Sequence, residues 1–264
     1  MDNSTRARPS LCIAILTYNE EKRIERSIKS AQFADRILVI DSGSTDRTCE
    51  LATSLGAEVH IYPDWQGFAV QRNRQLAHCT EDFIFFLDAD EVISHSLQQE
   101  ISDSLDLKFL IIGHTCWKEI SFGKPIFSLA KRKNRSRLFP RHLLLRFDGV
   151  VHEAAIVSDQ NIKRKIFTSP LLHYSRENIH DSLRKLTQYT MLGAAKRAKE
   201  GRKGGVIRGL ASAFVTFSRL YIFRASFASG GPGFLYAFFI ALESFFRYAA
   251  LSYDSKDLND KIKR

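Results

Sequence analysis

The chain has 264 residues, 44% of them hydrophobic and 26% charged, with 14 Gly and 6 Pro. These proportions suit one large globular domain, or a domain with an appendage, and exclude a largely disordered or collagen-like chain. The net charge of +10 is unevenly spread: residues 1–117 carry 11 Lys and Arg against 18 Asp and Glu, and residues 118–224 carry 23 against 7. A basic stretch of this size can meet nucleic acid, an anionic membrane face or a phosphorylated substrate, or be a solvated surface. Cys12, Cys49, Cys79 and Cys116 form no C-x-x-C pair. That argues against a zinc ribbon or a disulfide scaffold and suits a reducing compartment. The first ten residues lead into a strand-like segment without an apolar core of their own, so no export signal is expected.

Leu11–Tyr18 is a short apolar run, too short for a helix, and reads as a buried strand. Asn19–Ala34 places Ile24, Ile28 and Ala31 on one face and charged residues on the other, a helical period. Arg36–Ile40 is a second strand. The polar loop Asp41–Asp46 then opens a helix that runs to about Leu55 and stops at Gly56. Glu58–Tyr62 reads as strand, Gln66–Cys79 as helix and Phe83–Leu87 as a fourth buried strand. Strands alternating with helices at this spacing predict an α/β fold with an open, mostly parallel sheet flanked by helices. Ligands of such sheets bind beyond the carboxyl ends of the strands. The polar clusters Thr17–Glu20, Asp41–Asp46 and Asp88–Glu91 all fall there.

After residue 117 the pattern loosens. Ser121–Pro140 is basic and turn-like, Leu143–Phe147, Ala154–Val157 and Pro170–Tyr174 could be short strands, and Asn178–Glu200 reads as helix, broken by Gly201–Gly205. Two aromatic-rich helical stretches follow, Val206–Phe227 and Phe234–Ser252, with Gly230–Gly233 as the turn between them. Neither offers 18 uncharged apolar residues, so no membrane-spanning helix is expected. Two readings stay open: a pair of helices lying in a membrane interface, or an ordinary packed hairpin.

Asp88 and Asp90, beyond the strand Phe83–Leu87, could together hold Mg²⁺ or Mn²⁺ and through it a diphosphate. Asp41 could accept hydrogen bonds from a base or ribose, while Asp46 or Ser44 caps the following helix. Asn19 could bind or simply cap. No G-x-G-x-x-G follows the first strand, and no G-x-x-x-x-G-K-[ST] or G-x-S-x-G occurs. A dinucleotide-binding enzyme, a P-loop hydrolase and an α/β-hydrolase are therefore disfavoured.

Thr17–Glu20 (TYNE), Val39–Thr48 (VIDSGSTDRT), Gln71–Arg74 (QRNR) and Leu87–Glu91 (LDADE) together resemble an inverting family 2 glycosyltransferase of the GT-A fold. Val151–Ala154 (VHEA), Leu171–Ser175 (LLHYS) and the aromatic C-terminal stretch extend the resemblance to the lipopolysaccharide inner-core β-1,4-glucosyltransferase branch. The resemblance implies that Thr17, Asn19, Glu20 and Asp41 line a nucleotide-sugar site, with Asp41 on the uracil, and that Arg72 and Asn73 approach the nucleotide or diphosphate. It implies that Asp88 contacts ribose and metal, that Asp90 ligates the metal and His173 touches metal or diphosphate, and that Glu153 is the catalytic base.

A base near the acceptor hydroxyl is what inversion by direct displacement requires, and the basic surroundings of Glu153 would keep it ionised. Asp148 is the reserve candidate. For Glu153 a salt bridge, and for His152 and His173 a hydrogen-bonded core position, are the structural alternatives. Gly123–Arg141 looks shorter than the family's usual connection and is strongly basic, with Lys131, Arg132, Lys133 and Arg135, which suits a phosphorylated acceptor.

The expected organisation is a catalytic domain over 10–175, with a nucleotide-sugar half (10–117) and an acceptor half (118–175), and a helical extension over 176–264. The expected function is transfer of a hexose, glucose from UDP-glucose, to a lipid-linked glycan, with lipopolysaccharide core heptose as the acceptor. Expected partners are the nucleotide-sugar donor, a lipid-linked or phosphorylated glycan and an anionic membrane surface, at the cytoplasmic face of the inner membrane, without nucleic acid. The competing readings are a sugar nucleotidyltransferase, which would want a Gly-rich loop where this chain has TYNE, and a basic nucleic-acid-binding protein, for which no motif is present.

Overall fold

A computed structural model of the chain describes residues 8–130, 134–149 and 154–254. These fall into two compact units. The first comprises residues 8–117, 134–149 and 154–173, and the second residues 118–130 and 174–254.

The first unit is built on β1 (Leu11–Thr17), α1 (Ile24–Ala31), β2 (Arg36–Asp41), α2 (Thr48–Ser54), β3 (Glu58–Ile61), α3 (Phe68–His78) and β4 (Phe83–Asp88). The four strands lie in the order β3-β2-β1-β4, all parallel. Alternating side chains of β1 and β4 point to opposite faces. Ile13, Ile15, Phe85 and Leu87 pack with Ile24 and Ile28 of α1 on one face. Cys12, Ala14, Leu16, Ile84 and Phe86 pack with Leu76 of α3 on the other. Cover on both faces explains why these strands read as unbroken apolar runs.

Register then builds the site. Thr17 pairs with Asp41 and Leu16 with Asp88, so the polar ends of β1, β2 and β4 emerge side by side. This is the α/β arrangement expected of a GT-A fold.

Beyond β4 the sheet becomes mixed. It continues with β5 (Glu91–Ile93), α4 (His95–Ser102), β6 (Ile111–Ser121), β7 (Lys124–Pro125), β8 (Asn134–Pro140), β9 (Leu144–Asp148), β10 (Ala154–Val157), β11 (Lys163–Ile166) and β12 (Leu171–Arg176). β8 runs antiparallel between β4 and β6. β12 pairs antiparallel with β5 and sets His173 opposite Glu91. β9 and β10 form a separate ribbon. At Gly113 on β6 the ring of Phe167 lies 2.6 Å from where a Cβ would stand, so only glycine admits that contact.

In the second unit, α5 (Ile179–Lys199), α6 (Val206–Ser218) and α7 (Gly230–Tyr253) are the helices, with α7 packed against both others. Asn178 caps α5 by accepting from the Asp181 N–H at 2.8 Å. Arg176 and Glu243 form a buried ion pair.

Several elements differ from the sequence expectation. α1 begins at Ile24 instead of near Asn19, because Asn19 takes a left-handed conformation (φ 54°) and belongs to a loop. The turn between α6 and α7 is not Gly230–Gly233: the reversal comes at Ala225 (φ 59°) and the short turn Ser226–Ser229, and Gly230–Gly233 forms the first turn of α7. Pro232 is tolerated there because first-turn N–H groups have no helical partner anyway. Gly233 seats directly on the Ser226 carbonyl, where a Cβ would lie 1.8 Å from that oxygen. By length and composition Val206–Phe223 and Ser226–Tyr253 are both apolar enough to cross a membrane, against the expectation that neither would be. Their few charged residues do not lower the mean hydropathy enough to exclude them.

Candidate active site

The ends of β1 and β2 are tied into one another. Asn19 donates its N–H to the Ser44 hydroxyl at 2.7 Å and accepts the Thr45 N–H at 2.8 Å on its side-chain oxygen. Its amide therefore bridges two loops and does not cap α1. Asp41 is fully buried, and its carboxylate accepts the N–H groups of Gly43 and Ser44 at 2.8 and 2.7 Å and the Ser44 hydroxyl at 2.5 Å. Its role in this arrangement is to shape the 41–46 loop. Gly43 at φ 90° makes that turn possible. Asp46 stands one residue ahead of the N-cap position, Arg47, and accepts the Thr48 N–H at 3.0 Å at the start of α2. Thr17 is buried and its carbonyl accepts the Ser42 N–H at 3.0 Å. Glu20 pairs with Arg23 at 2.8 Å, and its N–H donates to the Thr48 hydroxyl at 2.8 Å.

Helix α3 delivers two residues in different directions. Arg72 is buried and donates to Asp88 Oδ1 at 2.5 Å and to Gln75 Oε1 at 3.1 Å. Asn73 exchanges two hydrogen bonds with the backbone of Phe147, at 3.0 and 2.7 Å. Both ends of its amide are thereby committed to holding β9 against α3. This departs from the expectation that Asn73 approaches a diphosphate.

The turn from Asp88 to Glu91 is the electrostatic centre. The second Asp88 oxygen accepts from Arg137 of β8 at 2.9 Å. Burial opposes the charge on Asp88, and Arg137 and Arg72 outweigh it, holding the carboxyl far below its ordinary range. Glu91 is fully buried and accepts from Arg137 at 2.5 Å, from the Trp117 indole at 2.5 Å and from the Asp88 N–H at 2.9 Å. Burial pushes its carboxyl up to about 7; Arg137 works against that, and Asp88 and Asp90 add to it. Arg137 thus holds two carboxylates together in a buried setting, where removing one partner strands the others.

Asp90 Oδ2 lies 3.5 Å from His173 Nε2. The His173 ring stacks on Trp117, centroids 4.4 Å apart, and the Arg135 guanidinium lies over the Trp117 ring, 4.1 Å from its centroid. A carboxylate and an imidazole at this spacing fit two positions around a hard or borderline divalent cation. Asp88 fits less directly: each of its oxygens already accepts a guanidinium N–H, so a cation would have to replace one of those bonds. The ligand set expected as Asp88, Asp90 and His173 is therefore brought together as a pair, Asp90 with His173, while Asp88 serves the arginines.

Glu153 and His152 lie outside the described residues. Asp148 ends β9, is exposed, and its carboxylate accepts the Gly149 N–H at 2.7 Å. Arg137 and Trp117 escaped the sequence reading; Glu91 entered it only within the LDADE motif, and Arg135 only as part of a basic stretch. A signal was present: Asn134–Pro140 alternates Arg135, Arg137 and Phe139 at a strand's period of two. The turn-like composition of the neighbouring residues masked it.

Residues 12–117 match the family model "Glycosyl transferase family 2". Over 254 residues the chain is 29% identical to an uncharacterized glycosyltransferase of Rickettsia bellii (strain RML369-C), covering 90% of this chain and 84% of that one. Over 251 residues it is 27% identical to the lipopolysaccharide core biosynthesis glycosyltransferase LpsC of Rhizobium meliloti (strain 1021), covering 89% and 92%. It also shows a distant likeness to the crystal structure of glucosyl-3-phosphoglycerate synthase from Mycobacterium tuberculosis with Mn²⁺, uridine diphosphate and glucosyl-3-phosphoglycerate, at 20% identity and a TM-score of 0.43 over 66% of this chain and 75% of that one. The chain carries a glycosyl transferase family 2 domain over residues 12–117.

Proposed function

We propose that this chain transfers glucose from UDP-glucose, with inversion, to a lipid-linked or phosphorylated glycan, the heptose of a lipopolysaccharide core. The observation that carries the reading is the convergence of Asp88, Asp90, Arg72 and His173 beyond β4, beside the ends of β1 and β2. The similarity to LpsC supports the acceptor class.

In this reading the loops after β1 and β2, held by Asn19 and Asp41, form the wall against which the nucleoside lies. Asp90 and His173 would hold Mg²⁺ or Mn²⁺, joined by Asp88 where the cation replaces one of its arginine bonds. When bound, that cation supplies positive charge to the departing diphosphate. Arg72 and Arg137 keep Asp88 ionised and in place. Glu153 takes the proton of the acceptor hydroxyl as its oxygen attacks C1 of the hexose. The bond from C1 to the diphosphate oxygen breaks on the opposite face, UDP leaves, and the configuration at C1 inverts. Residues 10–117 serve the donor, 118–175 the acceptor, and 176–264 the membrane. The exposed apolar face of α6 and the flanking Arg202, Lys203 and Arg208 suit a peripheral position on an anionic cytoplasmic leaflet.

Calorimetric titration with UDP-glucose, UDP-galactose, UDP-N-acetylglucosamine and GDP-mannose, with and without Mn²⁺ or Mg²⁺, tests this. Cation-dependent binding of UDP-glucose alone is the expected result. Binding of none of the four by folded protein overturns the reading.

A further inference from the structure

A cavity of about 360 Å³ opens in the first unit beside this site. Four arginines line it: Arg72 from α3, Arg135 and Arg137 from β8, and Arg164 from β11. No carboxylate lines it among the described residues. Two of the four, Arg72 and Arg137, are already paired with Asp88 and Glu91. Arg135 and Arg164 are exposed and take part in no ion pair among the described residues, so the cavity keeps an excess of positive charge. One wall is aromatic. Phe86, Phe139 and Phe147 pack edge to face, with centroids 4.9 to 6.3 Å apart.

A guanidinium rim over an aromatic wall matches a ligand with an apolar ring face and an anionic substituent. Guanidinium groups bond phosphate oxygens in pairs, and ring C–H groups of a sugar pack on aromatic faces. The strand period places Arg135, Arg137 and Phe139 on the same face of β8, so one short segment supplies both features.

We propose that this cavity binds the phosphate-bearing sugar of the acceptor, with Arg135 and Arg164 on the phosphate. The assignment to the acceptor rests on the transferase reading above. In that reading Glu153 is the base, and its chain neighbour Ala154 lines the cavity. Arg164 then acts as a specificity residue: it selects a phosphorylated acceptor over a neutral one and has no part in donor binding.

The test is calorimetry on the full chain with mannose 6-phosphate, mannose, inorganic phosphate and UDP as probes, repeated for Arg164→Gln and Arg135→Gln. Mannose 6-phosphate is expected to bind at least tenfold more tightly than mannose, and equally well when the protein is saturated with UDP. Each substitution is expected to weaken mannose 6-phosphate about tenfold, as for a lost charge-assisted hydrogen bond. Arg164→Gln is expected to leave UDP affinity within twofold.

Competition between UDP and mannose 6-phosphate would overturn the proposal by making the cavity the donor's diphosphate site. Unchanged binding in both variants, or no binding of either phosphate probe while UDP binds, would overturn it and leave the transferase reading intact. Phosphate binding lost in the variants, in a protein that binds no UDP, would keep the anion site and overturn the transferase reading instead.

Discussion

Strands β1 and β4 and helices α6 and α7 are all strongly apolar in sequence, yet their surroundings are opposite. Leu11 to Ile15 and Phe83 to Phe85 are fully buried, whereas Ile207 is 84% and Phe214 73% exposed. In the first unit α1 and α3 cover the two faces of the sheet. In the second, only 17% of Val206–Phe223 is buried, and Ile207, Leu210 and Phe214 fall on one face at helical spacing. An apolar run is a demand for cover. The chain meets that demand itself around the sheet and leaves it unmet along α6. Apolar patches of this kind mark surfaces that meet a partner or a membrane.

The same contrast holds for charge. At the Asp88–Glu91 turn of the first unit, Asp88 and Glu91 are held by Arg72 and Arg137 in one mutually bonded cluster. In the second, α5 carries Lys196, Arg197 and Lys199 near its C-terminus, where the helix dipole favours them.

Substitutions break this comparison in graded ways. The largest effect is expected from Asp90→Ala: metal-dependent transfer is lost while the circular-dichroism spectrum stays native, and near-normal turnover would remove Asp90 from the site. Next comes Glu153→Gln, expected to slow the chemical step by about 10²–10⁴ with UDP-glucose affinity retained, measured by single-turnover kinetics. A loss of donor affinity without a slower chemical step would make it a binding residue.

Arg137→Ala tests the buried charge cluster. It leaves Asp88 and Glu91 without their shared guanidinium and is expected to cost about 3–5 kcal/mol in urea denaturation, the usual range for breaking a buried pair. The contrasting experiment is on α6. Ile207→Ser with Phe214→Ser removes apolar surface that the fold leaves outside, so stability is expected to change by no more than about 0.5 kcal/mol per site. Sedimentation with vesicles containing anionic lipid is expected to fall sharply for this double variant. Unchanged sedimentation would show that the exposed face does not meet lipid, and unfolding would show that these side chains pack within the fold.

The smallest effect is a pH dependence at Glu100. This residue on α4 accepts the N–H groups of Thr168 and Ser169, both at 2.8 Å, and fixes the loop ahead of β12 that carries His173. Its carboxyl lies at about 2, burial working against the hydrogen bonds from Ser169 and Thr168, which prevail. A carboxyl lowered in the folded state adds stability that is complete above its unfolded value, near 4.5, and is lost as pH falls toward 2. Glu100→Gln is therefore expected to flatten the stability profile between those two values. An unchanged profile would show that another group governs it.

The parallel half of the fold was legible because each of its signals is local. Short apolar runs in β1, β2 and β4 were bounded by polar clusters, and every one of those clusters emerged at the carboxyl edge of the sheet. The position of Asp88 and Asp90 beyond a strand end was legible for the same reason, whereas Arg72 was picked out through the family resemblance. Residues 111–140 were not legible. β6 and β8 gain stability from pairing with each other and with β4, partners distant in sequence, and no local pattern announces such pairing. The reversal at Ala225 was hidden too, because Gly-Gly-Pro-Gly is a stronger turn signal than the segment that turns.

The sequence by itself determined which residues carry charge and which seek cover, and the order of strands and helices through β4. Only the tertiary structure decided how those side chains are used. Asn73 is spent on the backbone of β9, Asp41 on its own loop, and Arg137 arrives from β8 to join Asp88 and Glu91. The physical reason is that a hydrogen bond or ion pair is a relation between two groups. Where the partner stands about 50 or more residues away, as for Arg137 with Asp88 and for Asn73 with Phe147, only the folded chain brings it within 3 Å.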